Sequence, residues 1–185
     1  MSENRLKQHK KALLRLLKRK ALKRRKVVLS SGKASNYYLD GRLITLSPAG
    51  AYLTASIILD LIKDKKISAV GGPTMGADPI VGAVIALASI KGRNLGGFII
   101  RKSAKKHGMQ RLIEGPLLRK GSRVILLDDV ATTGGSLVEA KTVLDKEGII
   151  VDCAIVIVDR EEGASENLAK VSCRLIPLFQ KRDIL

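Results

Sequence analysis

Val124-Ile125-Leu126-Leu127-Asp128-Asp129-Val130-Ala131-Thr132-Thr133-Gly134-Gly135-Ser136 decides the fold class of this chain. Four aliphatics end in paired acids, and small hydroxyl and glycine residues then open a helical stretch. A short, uninterrupted aliphatic run of this kind is a strand covered on both faces. In open α/β sheets, ligands bind at the carboxyl ends of such strands. The turn 132–136 can wrap a phosphate with backbone N–H groups and hydroxyls, and the helix N-terminus behind it adds partial positive charge. Asp128 and Asp129 are poor phosphate ligands but suit sugar hydroxyls or a hydrated Mg²⁺. A phosphorylated sugar satisfies both halves. The run is not a Walker A loop, because the Gly-Lys-Ser/Thr ending is absent, and it is not Gly-x-Gly-x-x-Gly. Two carboxylates ending a buried strand are costly without a ligand.

The surrounding chain repeats the same alternation. Residues 67–71, 97–100, 123–127, 149–158 and 173–178 read as short aliphatic strands, and 78–90 and 139–146 as helices. Strands alternating with helices predict a parallel sheet covered on both faces. Segment 102–120 breaks the rhythm, being rich in Lys, Arg, Gly and His with little apolar content. A loop that long in a compact domain is a functional or disordered one.

A chain of 185 residues suits one domain with a substantial core and falls short of two full-sized ones. The apolar stretch 77–90 carries Asp78 and is too short to cross a bilayer, so no membrane span is expected. Basic residues interrupt every leucine run near the N-terminus, which lacks the apolar core of a secretory signal. Cys153 and Cys173 lie in apolar runs and read as reduced core residues, so a cytoplasmic protein is expected.

The net charge of +17 is concentrated, because residues 1–26 hold twelve Lys or Arg against Glu3 and contribute +11. Leu6, Leu13, Leu17 and Ala21 repeat at helical spacing, with Leu14 and Leu22 widening the stripe. This predicts an amphipathic helix that docks its apolar seam and leaves lysines in water. A nucleic-acid patch, a membrane-surface helix or a transit peptide are the competing readings. No aromatic interleaves with the basic residues, so bases find no stacking platform and a nucleic-acid partner is not expected.

The stretch quoted above resembles the phosphoribosyl-pyrophosphate (PRPP) signature of the type I phosphoribosyltransferases. Phe98-Ile99-Ile100-Arg101-Lys102-Ser103-Ala104-Lys105-Lys106-His107-Gly108, with Ile113-Glu114-Gly115-Pro116, looks like the mobile loop of orotate phosphoribosyltransferases. Ser31-Gly32-Lys33, Ser35, Tyr37-Tyr38 and Asp40-Gly41-Arg42 look like that family's N-terminal substrate segment, and Asp159-Arg160 with Gly163 like its orotate site. The resemblance runs from about residue 10 to 180. It implies an α/β type I phosphoribosyltransferase fold in one domain, 1–185: a central, mostly parallel sheet flanked by helices. A basic N-terminal helix and small hood would occupy 1–45, and a mobile catalytic loop 102–120.

The implied reaction joins orotate to the ribosyl 5-phosphate group of PRPP, releasing pyrophosphate, in UMP biosynthesis with Mg²⁺. Lys105, Asp128 and Asp129 match catalytic positions. Arg101, Lys102, Lys105 and His107 match PRPP contacts, as do Asp128, Asp129, Val130, Ala131, Thr132, Thr133, Gly134, Gly135 and Ser136. Thr132 and Arg160 match orotate contacts, and Gly71-Gly72-Pro73-Thr74-Met75-Gly76 the turn facing pyrophosphate. The family holds Mg²⁺ mainly through PRPP, with Asp128 and Asp129 acting through hydroxyls or water and no direct metal ligand. A homodimer sharing the loop between subunits is also implied. The chain departs from the family at Ser30, where many members carry a lysine; Lys26 and Lys33 are near but do not match that position. A phosphoribosyltransferase for another nucleobase and a PRPP-binding regulator are the alternatives. Arg160 and the 105–107 loop speak against the first, and the lack of a helix-turn-helix against the second.

Overall fold

The computed structural model describes residues 2–23, 27–28, 34–102 and 112–185, with backbone alone for 27–28 and 34–35. Lys105 and His107, and the substrate-segment residues Ser30 to Lys33 with nearby Lys26, lie outside the described residues.

Helix α1 (Glu3–Leu16) continues into a π-helical turn, Leu17–Ala21. Four two-residue strands follow: β1 (Leu22–Lys23) pairs antiparallel with β4 (Tyr38–Leu39), and β2 (Val27–Val28) with β3 (Ala34–Ser35). Then come α2 (Arg42–Thr45), α3 (Pro48–Leu61), β5 (Ala69–Pro73), α4 (Asp78–Ile90), β6 (Gly96–Ile100) and β7 (Ile113–Glu114). The chain ends with β8 (Arg123–Ala131), α5 (Gly135–Lys146), β9 (Ile150–Asp159), α6 (Ala164–Lys170), β10 (Leu175–Gln180) and α7 (Lys181–Ile184).

The main sheet runs β10-β9-β8-β5-β6-β7, parallel throughout except for β7, which returns antiparallel to β6. Segment 102–120 is therefore not loop alone, since the edge strand β7 lies within it. Side chains alternate between the two faces, as strand geometry requires. Ile125 and Leu127 of β8 and Ile155 and Ile157 of β9 join the core that contains Leu13, Leu53 and Val84. Val124, Leu126, Ala154 and Val156 join the core that contains Leu137, Leu144 and Leu168. Burying each large aliphatic contributes roughly 1.5–3 kcal/mol. At the sheet's amino edge Asp152 bulges from β9, where Ile125 pairs with Cys153 although Val124 pairs with Val151. Its carboxylate bridges Lys65 and Arg123, which hold its pKa below the usual range, Lys65 foremost.

The N-terminal helix docks as its stripe predicts. Leu13, Leu17 and Ala21 are fully buried in the core that α3 shares, while Lys7, Lys11, Arg15 and Lys18 stay exposed. Helix α3 itself has no apolar period to read. Buried residues run through it without a break from Leu53 to Leu59, because α1 packs on one side and α4 on another. Among the described residues, no helix is long and apolar enough to cross a membrane.

Candidate active site

Taken in chain order, the five parallel strands lie 2-1-3-4-5 across the sheet, so the connections reverse between β5 and β8. A crevice opens at such a switch point, beyond the strands' carboxyl ends. Here β5 pairs with β8 only as far as Gly71 opposite Leu126, while β8 stays with β9 to Ala131 opposite Asp159. The parting chains enclose a cleft of about 510 Å³. Asp128, Asp129, Val130, Thr132 and Ser136 line it from one side, and Thr74, Met75 and Gly76 from the other. Asp40, Arg42, Lys102 and Arg160 complete the wall.

The acids sit at the floor. Asp128 is 8% exposed, and burial, reinforced by the Asp129 carboxylate, pushes its pKa up to about 7. Burial also raises Asp129. Asp128 accepts from the Asp129 N–H at 2.9 Å and the Ser136 hydroxyl at 3.3 Å, and Asp129 accepts from the Val130 N–H at 2.7 Å. Gly76 rides directly over the pair: a Cβ there would lie 2.1 Å from Asp128 Oδ1 and 2.8 Å from Asp129 Oδ1. Only glycine lets that turn approach. Two crowded carboxylates, short of donors, make a place for sugar hydroxyls or a hydrated cation.

This strain has a measurable signature. Asp128→Asn should raise the melting temperature, by an amount that grows between about pH 4 and pH 7 and then levels off. The native acid keeps its proton up to about 7, whereas the unfolded one releases it near 3.8. Stability is therefore lost as pH rises through that window, and neutral asparagine escapes the loss. A gain of about 0.5–2 kcal/mol, or a few degrees, is expected. Thermal melts at about pH 5 and about pH 8 check it. An equal gain at both would show that Asp128 ionises like an ordinary carboxyl, and a larger gain at the lower pH that its pKa is depressed by folding.

Above the acids the chain leaves β8 and turns into α5. Gly134 caps the helix with φ +75°, where its Cβ would stand 3.2 Å from Ala164, so both conformation and space call for glycine. Asn167 of α6 donates from Nδ2 to the Thr133 carbonyl at 2.9 Å and braces the turn from behind. The first N–H groups of α5 have no acceptor within the helix and face an anion with favourable dipole sign. The turn has the chemistry of a phosphate cradle.

The remaining walls bring in opposite charges. Arg42 donates from its N–H and Nε to Asp40 Oδ1, at 3.2 and 3.1 Å. Arg160, only 3% exposed, leaves β9 with its N–H bonded to the Ala131 carbonyl at 2.9 Å. Its guanidinium lies 4.4 Å from the centre of the Tyr37 ring. A second cleft of about 660 Å³ shares Thr74, Met75 and Lys102 with the first and adds Asp78, Arg101 and Glu114. There Arg101 lies 3.8 Å from Glu114.

Of the residues singled out in the sequence, the structure gathers Lys102, Asp128, Asp129, Val130, Thr132, Ser136 and Arg160 around one cleft. Ala131 is buried beneath it, Thr133, Gly134 and Gly135 complete the turn, and Arg101 faces the neighbouring cleft. Asp40 and Arg42 enter the wall without having been assigned individual roles. Glu162 accepts from Arg160 Nε at 2.9 Å, the partner that a plain surface turn Arg160-Glu161-Glu162 also offers from the sequence, but Arg160 is only 3% exposed and is not at the surface. Among the described residues no cluster of three His, Cys, Asp or Glu could hold a metal.

A switch-point cleft with paired acids and a phosphate turn defines a phosphoribosyltransferase, and the phosphoribosyl transferase domain model matches residues 44–181. The orotate phosphoribosyltransferase of Streptomyces avermitilis is 46% identical over 157 residues, covering 85% of this chain and 86% of that protein. The Mycobacterium tuberculosis orotate phosphoribosyltransferase, solved with Fe(III) dicitrate, superposes with a TM-score of 0.83 at 36% identity, over 95% of this chain and 98% of that one. The same enzyme solved with PRPP gives 0.80 at 32% identity, over 95% and 98%. The chain belongs to the orotate phosphoribosyltransferase family.

Proposed function

We propose that this chain transfers the ribosyl 5-phosphate group of PRPP to orotate, forming orotidine 5′-monophosphate and pyrophosphate for pyrimidine synthesis. The observation that carries the reading is one cleft holding the acid pair, the 132–136 turn and Arg160. The relatives' shared name and the PRPP-bound tuberculosis enzyme support it.

The reaction displaces pyrophosphate from the anomeric carbon of ribose through an oxocarbenium-like state. Orotate arrives as an anion, so orientation and charge neutralisation outweigh proton transfer. Asp128 and Asp129 hold the ribose hydroxyls, residues 130–136 hold the 5-phosphate, and Thr132 stands beside orotate with Arg160. The turn through Thr74, Met75 and Gly76 faces pyrophosphate, with Arg101, Lys102, Lys105 and His107. The crowded acid pair, Asp128 and Asp129, would hold Mg²⁺ through substrate hydroxyls or water, and the ion would supply further neutralisation of the pyrophosphate charge. The working unit is a homodimer in which each subunit's 102–120 segment serves the other's cleft. It acts in the cytoplasm, where the buried Cys153, its thiol pushed up to about 11, is inert.

Mixing the protein with PRPP and Mg²⁺ and following the absorbance of orotate tests the reading. Orotate should be consumed only when both are present, while adenine, guanine and uracil turn over far more slowly. Preferred use of another base would leave the phosphoribosyltransferase class standing and reject orotate.

A further inference from the structure

Arg160 is held by more than its place at the end of β9. Its Nε donates to Glu162 Oε1 at 2.9 Å, and the two side chains are 4% and 18% exposed. The Tyr37 ring supports the guanidinium face at 4.4 Å, and Lys181 Nζ lies 5.8 Å from the centre of the same ring. The aromatic face sets the guanidinium plane, and an acceptor at Nε sets its rotation within that plane. Glu162 is itself anchored by the turn that carries it. Glu161 adopts φ +56° with its N–H bonded to Asp159 Oδ1 at 2.9 Å, and Gly163 follows at φ +100°. Arg182 of α7 ties the turn down through its N–H to Glu161 Oε2 at 3.3 Å.

We propose that Glu162 is a positioning residue that sets carboxylate specificity, by locking the Arg160 guanidinium on Tyr37 in the orientation that meets the orotate carboxylate. The inference rests on the reading that Arg160 takes that group. An arginine loses rotamer freedom when it engages a ligand, and a side chain already fixed has less to lose. The acid also offsets the charge of Arg160, so selection depends on the geometry of the fork more than on bare attraction. A phosphate bound in the adjacent turn then has less pull on the same guanidinium.

The test compares two nucleotides that differ only in the carboxylate, orotidine 5′-monophosphate and UMP. Titrating each into wild type and variants gives the ratio of their dissociation constants. Glu162→Ala should weaken the orotidine nucleotide about tenfold and leave UMP within about twofold, so the ratio falls about tenfold. Glu162→Gln keeps an oxygen acceptor for Nε and should restore the ratio to within about threefold of wild type. An unchanged ratio in Glu162→Ala, equal weakening of both nucleotides, or no rescue by Glu162→Gln would each overturn the proposal. Arg160→Ala separates the two layers. If it lowers the ratio and Glu162→Ala does not, the positioning role fails alone. If neither lowers it, the assignment of Arg160 to the carboxylate fails with it.

Discussion

Arg160→Ala should lower kcat/KM for orotate by about 2–5 kcal/mol, roughly 30- to 5,000-fold, and change PRPP binding little. Orotate differs from uracil by one carboxylate, and a guanidinium offers that group two parallel hydrogen bonds. The alanine leaves the substrate carboxylate unpaired at a wall where the native arginine is 3% exposed. It also strands Glu162, which then repels the incoming anion. Glu162→Gln added to Arg160→Ala should therefore recover part of the lost orotate affinity. Arg160→Lys should recover only part as well, because an ammonium is a point charge and cannot reproduce the fork. Paired titrations with orotate and PRPP decide the matter. Unchanged orotate affinity and turnover would remove Arg160 from the site.

Lys105→Ala should cost roughly 10²–10³ in kcat, by analogy with the loss of one oxyanion donor. The proposed reaction sets this ammonium against pyrophosphate, where negative charge would grow as the bond from the anomeric carbon to the leaving group breaks. An interaction that strengthens along the reaction raises kcat more than it tightens ground-state binding. Lys102, at the start of the same segment, already lines the cleft. The dimer reading is tested with the same variant. Mixing Lys105→Ala with Asp129→Asn creates dimers in which one loop and one acid pair remain intact. If the loop serves the neighbouring cleft, activity partly returns. No recovery after demonstrated subunit exchange would assign the loop to its own subunit.

The parts of the fold that could be read from sequence are those whose burial is one- or two-sided in a regular way. Helix α4 spans the residues expected of it, and β8 runs on from its aliphatics through both acids to Ala131. Helix α5 starts at Gly135, four residues before the periodic stretch at 139, because Gly135 and Ser136 carry no apolar side chain to begin the period, although Leu137 behind them is already buried. Helix α3 was hidden for the opposite reason, since it is apolar on every side. In the site, the acid pair and phosphate turn were legible because they are contiguous. Tyr37, Glu162 and Lys181 were not legible as one assembly. They stand on three separate segments, and the fold sets Arg160 and Lys181 over the Tyr37 ring while Glu162 pairs with Arg160.

The strand order also bears on how the chain is made. β5 pairs with β6 across about 27 residues of sequence, Ala69 to Gly96, but waits about 55 residues for β8, Ala69 to Val124. Closing the longer loop costs only about 0.6 kcal/mol more, so entropy does not set the delay. Availability does: at about 5–20 residues per second, β8 leaves the ribosome several seconds after β5. Through that interval one edge of Ala69–Pro73 has no partner, a hazard for pairing between nascent chains. Gly71, where a Cβ would strike Phe98, and Gly72, where one would strike Leu127 and Ala77, with Pro73 also make it a poor template for a foreign strand. The residues that let β5 pack closely on its neighbours in the finished enzyme thus protect the unfinished one.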